Sequence, residues 1–476
     1  MTATDRAARA AAPGATEVLS GWGRTAATSA TIRTLPDTRY WSRSFDTAGP
    51  RGLIARGAGR SYGDAALNGG GVVVDTTHGA RVHELDSGTG RVWADAGVTL
   101  GGLLERVVPQ GRLPPVLPGT RHVTLGGAIA ADVHGKNHPA AGAFSAHVTE
   151  FTLLTPAEGL IRVSRDERPE VFWATVGGMG LTGIIKRVGL HLAPIDTGYM
   201  LVREQAAVDL DTVCSHLCAA ASQAHAVAWL DGHARGSALG RGVVTLGTPA
   251  EPGDLSPARR RDPLAYRARS SVRAPALPGR GIVRPRLVAA YNTMRYGAAR
   301  GRGGRPAIRP LASFFHPLDA VDGWPGLYGR RGFVQYQFVV PFGAEDVLRM
   351  SIELLNQAGC PPSLAVLKRL GAASPAPLSF AAPGWTLALD IAVGHPALGR
   401  TLDRLDLRVT AAGGQVYLAK DSRVRPELLP WMYPRLGAWR QIRDRLDPKR
   451  RIISDLARRL GLIDGVLDGR IDGGRT

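Results

Sequence analysis

The sequence predicts an α+β fold divided between more than one domain, and three observations carry that reading. The chain has 476 residues, too many for one ordinary hydrophobic core and enough for two or three domains. From residue 51 to about 194, short β-branched runs alternate with glycine-rich turns. After 194 the composition shifts to longer helical stretches set between strands. Hydrophobic residues make up 44% and charged residues 21%, the balance of a folded chain, which excludes disorder for most of it.

In chain order, residues 71–75 (GVVVD) read as a buried strand and 91–96 (RVWADA) as another, with a short strand and turn between them. Leu100, Leu103, Leu104 and Val107 recur at helical spacing, and Thr99 stands where an N-cap belongs. Residues 151–155 and 160–163, joined through PAEG, read as a hairpin. Residues 170–176 read as a helix and 184–188 as a strand. Further on, 209–226, 344–358 and 396–412 read as helices, and 333–340 and 385–393 as strands. The segment 256–310 is basic, rich in Pro and Gly, and short of buried apolar candidates, so it is expected as a long loop or partly disordered insertion. Cys214, Cys218 and Cys360 have neither metal nor redox spacing; the first two are expected as small core residues, with no disulfide framework.

Two glycine-rich stretches suggest a ligand. In Arg56-Gly57-Ala58-Gly59-Arg60-Ser61-Tyr62-Gly63, glycines allow close approach of backbone amides, which suits a pyrophosphate, and the arginines add positive charge. The spacing misses both the Rossmann fingerprint and the P-loop. The second stretch runs from Pro118, Gly119 and Thr120 through Thr124, Gly126, Gly127 and Ala130 to His134 and Lys136. His134 and His138 lie four apart, but no glutamate follows the first as in a zinc helix and Gly135 disfavours a helix, so no metal is expected. A literal G-x-G-x-x-G at 178–183 is rejected as a dinucleotide motif, because a helix precedes it, a strand follows it, and the acidic partner is missing.

GWGRT at 21–25, ARGAGRSYGDAALNGGGVVVD at 55–75, LPGTRHVTLGGAIAADVHGKNH at 117–138 and FWATVGGMGLTGIIKR at 172–187 stand in unbroken order. QYQFVVP at 335–341, GGQVYLAKDSR at 413–423 and SDLARRLGL at 454–462 complete the series. Together they resemble the FAD-binding oxidoreductases acting on decaprenylphosphoryl ribose, within the vanillyl-alcohol-oxidase superfamily that includes alditol and aldonolactone oxidases. The resemblance covers nearly the whole chain and is weakest in 1–17 and 245–310.

It implies a PCMH-type (VAO-like) FAD-binding domain with an inserted α/β substrate (cap) domain: 1–195 and 413–476 enclosing 196–412. FAD would lie on residues 56–63 and along 118–134, with Gly180, Thr182, Gly183 and Ile184 on its nucleotide side and Tyr417 approaching from the tail. Some relatives tether FAD through a histidine in the first motif; Arg60, Ser61 and Tyr62 stand here, so non-covalent FAD is expected. The implied reaction oxidises the 2′-hydroxyl of a lipid-linked ribose to a ketone by hydride transfer to flavin N5, the first half of an epimerisation that an NAD-dependent reductase partner would complete. Lys420 and His134 are the expected catalytic residues, with Tyr62, Lys136, Gln335, Gln337 and Lys420 around the sugar. The general base stays open between His134, Lys420 and water, and no motif specifies the electron acceptor. Ala388 stands where mycobacterial members carry a reactive cysteine, so covalent capture through that thiol is not expected.

The formal charge of +19 comes almost wholly from arginine, since the chain has five lysines. Two readings stand: a compositional bias towards Ala, Arg and Gly, or attraction to an anionic partner such as a phosphorylated substrate or a membrane surface. Nucleic acid is not expected, because aromatics are only 6% and do not interleave the basic segment. The N-terminus lacks the apolar run of a secretory signal, and no uninterrupted apolar stretch is long enough to span a bilayer. A cytoplasmic location with peripheral membrane contact is the expectation. The alternative substrate is a soluble sugar, nucleoside or alditol oxidised by the same chemistry; a flavin-binding protein without catalysis is disfavoured by the intact Lys420, Lys136 and His134.

Overall fold

The computed structural model of the protein describes residues 14–34, 45–220, 225–268, 272–275, 277, 279 and 281–463. The N-terminal stretch on which the absence of a secretory signal was read lies outside the described residues.

Two sheets form the first half. One has four strands in the order Thr16–Ser20, Ala27–Thr34, Val72–Asp75, Leu53–Arg56. Its last three strands are parallel, and Val72, Val73 and Val74 are all buried, as a strand covered on both faces requires. The other sheet is antiparallel, in the order Val82–Asp86, Arg91–Asp95, Ile184–His191, Val148–Thr155, Gly159–Ser164. The helix Leu100–Val107 starts where the spacing places it: the Thr99 hydroxyl accepts from Gly102 N, and Leu100, Leu103, Leu104 and Val107 are buried. The helix Pro169–Thr175 precedes the strand Ile184–His191, the order that ruled out a dinucleotide turn.

The middle of the chain builds an eight-stranded antiparallel sheet. Its order is Ala307–Pro310, Tyr199–Ala207, Gly242–Pro249, His225–Leu230, Leu364–Leu370, Gly384–Ala392, Phe333–Val340, Gln415–Val416. Strand period assigns its faces. Leu367, Leu387 and Phe338 share a core with Leu348 of the helix Glu345–Gln357 and Leu402 of the helix Leu398–Ala411. The opposite face carries Lys368, Ala388 and Gln337, in register as Val366↔Ala388↔Gln337 and Lys368↔Thr386.

Three expectations need correction. The helix expected over 209–226 is Leu210–Ala219, and His225–Leu230 is a strand, paired between Gly242–Pro249 and Leu364–Leu370. The basic segment is not simply a loop, since Pro285–Arg302 is an 18-residue helix with Pro at its first position and Gly303 left-handed at its end. That helix seats on the sheet through small and polar residues: Ala299 and Asn292 are buried, and Asn292 donates to Asp231 Oδ1 at 2.8 Å. Finally, Cys218 is exposed and Cys214 only half-buried, while Cys360 is buried; all three are free thiols.

The C-terminal segment ties the sheets together. Gln415–Val416 closes the edge of the eight-stranded sheet, whereas further on Leu53 N donates to Arg451 O and Ile453 N to Leu53 O, at 2.8 and 2.9 Å. Asp455 accepts from Gly69 N, and Arg459 grips Asp64 and Asp421, each contact at 2.8–2.9 Å. Arg443 and Asp447, both fully buried, pair at 2.8 Å, and Arg443 also donates to Ile452 O. Removing Arg443 leaves the buried Asp447 charge uncompensated, a loss of about 3–5 kcal/mol, whereas Arg443 keeps Asp444 at 2.9 Å if Asp447 is removed.

Candidate active site

Where the two glycine-rich stretches meet, side chains would not fit. A Cβ on Gly57 would lie 2.3 Å from Thr124 Oγ1, and that hydroxyl is occupied in capping the helix Leu125–Ala130 through Gly127 N. A Cβ on Gly63 would lie 1.9 Å from Asp421 O, so the first stretch packs backbone to backbone on the tail. Tyr62 N donates to Ala419 O at 3.0 Å, which sets Lys420 beside Tyr62.

Between these loops, the turn at 179–185 and the polar face of the large sheet lies a cavity of about 310 Å³, within the range of small-molecule sites. Its wall holds Gly57, Ala58, Gly59, Arg60, Ser61 and Tyr62 from the first stretch, and Pro118, Gly119, Thr120, Thr124, Gly126, Gly127, Ala130 and His134 from the second. Gly180, Gly183, Ile184, Gln335, Gln337, Tyr417 and Lys420 complete the expected set.

Four residues singled out in the sequence are not in the wall. Arg56 turns its guanidinium to Ser20 O and Ala66 O, bracing the loop, and Gly63 is pressed on Asp421. Thr182, fully buried, donates to Thr175 Oγ1 at 3.0 Å. Lys136, expected near the sugar, has its ammonium donating to Phe314 O and 4.2 Å over the Phe314 ring, so it holds the chain around 314. Burial pushes it down to about 7.

Lys420 Nζ lies 3.7 Å from the centroid of the Tyr62 ring. Removal from water drops the Lys420 ammonium to about 7, with Asp390 opposing the drop and Lys368 adding to it. Lys368, also in the cavity wall, is lowered by burial to about 8. Burial raises the Asp390 carboxyl to about 7, against the hydrogen bond from Gln335 and the charge of Lys420. Gln335 Nε2 donates to Asp390 Oδ1 at 2.5 Å, while the buried Asp390 Oδ2 has no hydrogen-bond partner among the described residues. Lys420 and Asp390 therefore feel each other's charge across the site, although no ion pair within 4 Å joins them. Tyr62 is held protonated, chiefly by burial.

His134 is buried, and that burial, helped by Lys368, keeps it well below the usual histidine range and neutral. Gln337 Nε2 donates to Thr386 Oγ1 and to His134 Nε2, at 3.0 and 3.1 Å. In that arrangement Nδ1 carries the hydrogen, and this buried atom finds no protein acceptor. His134 is thus neutral in the cavity wall, with Nδ1–H as a donor in this tautomer.

Lys368 and Asp390 were missed in the sequence. Period two sorts them onto faces, Lys368 with Leu364 and Val366 and Asp390 with Ala388, but only the pairing of strands brings those faces together. Trp22 and Trp324, 6.3 Å apart edge to face with Arg60 over Trp22 at 3.9 Å, also line the cavity without a local signal.

The small backbone around Gly57–Gly59 and Gly126–Ala130 leaves room for a flat, polar group. A Cβ on Gly119 would meet nothing within 4 Å, and the unpartnered His134 Nδ1 faces the same cavity wall. These features fit a flavin. The FAD binding domain family matches residues 48–164. The chain is 40% identical to the decaprenylphosphoryl-β-D-ribose oxidase of Mycolicibacterium smegmatis over 95% of its own length and 99% of that protein. An uncharacterised protein of Streptomyces coelicolor is 43% identical over 77% of the chain and its own whole length. Cytokinin dehydrogenase 6 of Oryza sativa is 28% identical over 32% of the chain and 30% of its own.

Proposed function

The chain belongs to the decaprenylphosphoryl-β-D-ribose oxidase family of FAD-dependent oxidoreductases, and we propose that it oxidises the 2′-hydroxyl of a polyprenylphosphoryl ribose to a ketone. FAD, when bound, supplies the two-electron acceptor. Residues 57–62 and 118–130, with Gly180, Gly183, Ile184 and Tyr417, would hold it without a covalent link, since no histidine stands in the first motif at Arg60-Ser61-Tyr62.

The constellation of Lys420, Tyr62, Asp390 and Gln335 carries the reading. With its ammonium lowered to about 7, Lys420 is available as a neutral amine at working pH and takes the proton of the reacting hydroxyl. Asp390, fixed by Gln335, balances the ammonium so formed, and the Tyr62 ring steadies it from above. Lys368 and Gln337 place hydrogen-bond donors on the same wall, where they orient sugar oxygens, and His134 offers Nδ1–H from the flavin side.

In this reading the FAD domain is 1–195 with 413–476, and the cap is 196–412. The ketone passes to an NAD-dependent reductase, and the protein works in the cytoplasm against the membrane that carries its substrate. Among the described residues no helix is long and apolar enough to cross a membrane. Turnover of polyprenylphosphoryl ribose with an artificial electron-accepting dye tests the reaction. The expected product lacks two hydrogens and takes up deuterium at the 2′ carbon on borodeuteride reduction; a product labelled at another carbon, or none, sinks the assignment.

A further inference from the structure

The helix Pro285–Arg302 is held to the fold by a face of small and polar residues and carries its large apolar side chains on the other. Its inner face holds it on the sheet: Ala299 clusters with Trp229 and Val243, Asn292 donates to Asp231, and Arg302 pairs with Glu204 at 2.8 Å. On the outer face Leu287, Tyr291 and Met294 follow at intervals of four and three, one stripe of an α-helix. They are 62%, 53% and 64% exposed. Ala290 and Ala298 fall on the same stripe, also exposed. At 100° per residue Arg286 flanks one side of it and Arg284 the other, both exposed.

Charge singles out the same region. Residues 263–318 contain eleven arginines and no aspartate or glutamate, in a chain that has 40 acidic residues. The helix also sits on the cavity side of the large sheet, because Trp229 beneath it pairs in register with Val366 of the cavity wall. The acid-free segment ends at Leu318, itself 41% exposed and part of that wall.

We propose that the outer face of the helix Pro285–Arg302 docks on an anionic phospholipid bilayer, the stripe of Leu287, Tyr291 and Met294 entering the headgroup boundary and Arg284 and Arg286 meeting lipid phosphates. An apolar stripe with arginines on both shoulders is the pattern of a helix lying in the plane of the interface, and arginine reaches phosphate from such flanks while its stem stays on apolar surface. A purely electrostatic partner would leave the three large side chains without a purpose. The inference deepens the proposed substrate reading: docking there would bring the cavity to the surface that presents a polyprenyl-linked sugar.

Co-sedimentation of the full FAD-loaded protein with vesicles tests it, using phosphatidylcholine mixed with phosphatidylglycerol beside phosphatidylcholine alone, without any sugar. The protein should pellet with the mixed vesicles. The double variants Leu287→Asp/Met294→Asp and Arg284→Glu/Arg286→Glu should each partition roughly tenfold less or worse. These side chains are exposed and outside the cavity, so flavin content and reduction by a detergent-solubilised lipid-linked sugar should stay unchanged. Wild-type protein left in the supernatant, or variants that pellet as well as wild type, would overturn the proposal. So would a wild-type dimer that Leu287→Asp/Met294→Asp turns into a monomer, since a second copy would then cover the stripe. Vesicle binding without flavin reduction would leave the docking standing and count against the substrate instead.

Discussion

Replacing Lys420 by methionine should slow substrate reduction of the bound flavin by about 10²–10⁴-fold, the range lost with a positioned acid–base group. Lys420 reaches the cavity from a tight turn in which its N–H donates to Tyr417 O at 2.9 Å, and its ammonium stacks on Tyr62. Methionine keeps the bulk of the side chain and removes only the titrating nitrogen. Asp390 would then lose the positive charge that lowers it and would stay protonated to higher pH, so no buried anion is stranded. Cofactor content, read from the visible spectrum, should therefore be preserved while the anaerobic stopped-flow rate falls. A variant reduced at the wild-type rate would remove Lys420 from the chemistry.

The second large effect is on pH dependence. As a base Lys420 works neutral, so kcat/KM should rise with pH through about 7, where the folded protein holds this amine. The sign for Asp390→Asn follows from the charges: a carboxylate stabilises the ammonium and raises Lys420, so its loss lowers Lys420 further. The acid limb should move down by about one pH unit or more, and the plateau should drop roughly tenfold, because a weaker base must also form its ammonium without a counter-ion. A limb that stays in place would mean that Asp390 serves only to hold Gln335; a limb that moves up would contradict the assignment of Lys420.

Local patterns carried much of the architecture. The Thr99 cap, the buried run Val72–Val74 and the helices Glu345–Gln357 and Leu398–Ala411 all follow from residues a few positions apart. The helix Pro285–Arg302 escaped because its seat is made of Asn292, Ala299 and salt bridges from Arg295 and Arg302 to Glu204 rather than of leucine and valine, so its average hydropathy resembled a loop. At the site, the glycine stretches were legible since close backbone approach leaves a compositional trace. The contact of Lys136 with Phe314 was not legible, because the two are 178 residues apart and no local pattern reports such a contact. Asp390 and Lys368 became visible only through the register that sets Asp390 opposite Gln335 and Lys368 opposite Thr386. Strand pairing across distant segments decides which polar side chains share a wall, and one strand read by itself cannot supply it.

The most direct test of the account is anaerobic. The oxidised-flavin absorbance of the purified protein would be recorded before and after addition of polyprenylphosphoryl ribose, with ribose 5-phosphate as the comparison. Bleaching by the lipid-linked sugar and not by the soluble phosphate is the predicted result. A colourless protein that cannot be reconstituted with FAD, or a flavin bleached only by soluble sugars, would contradict it.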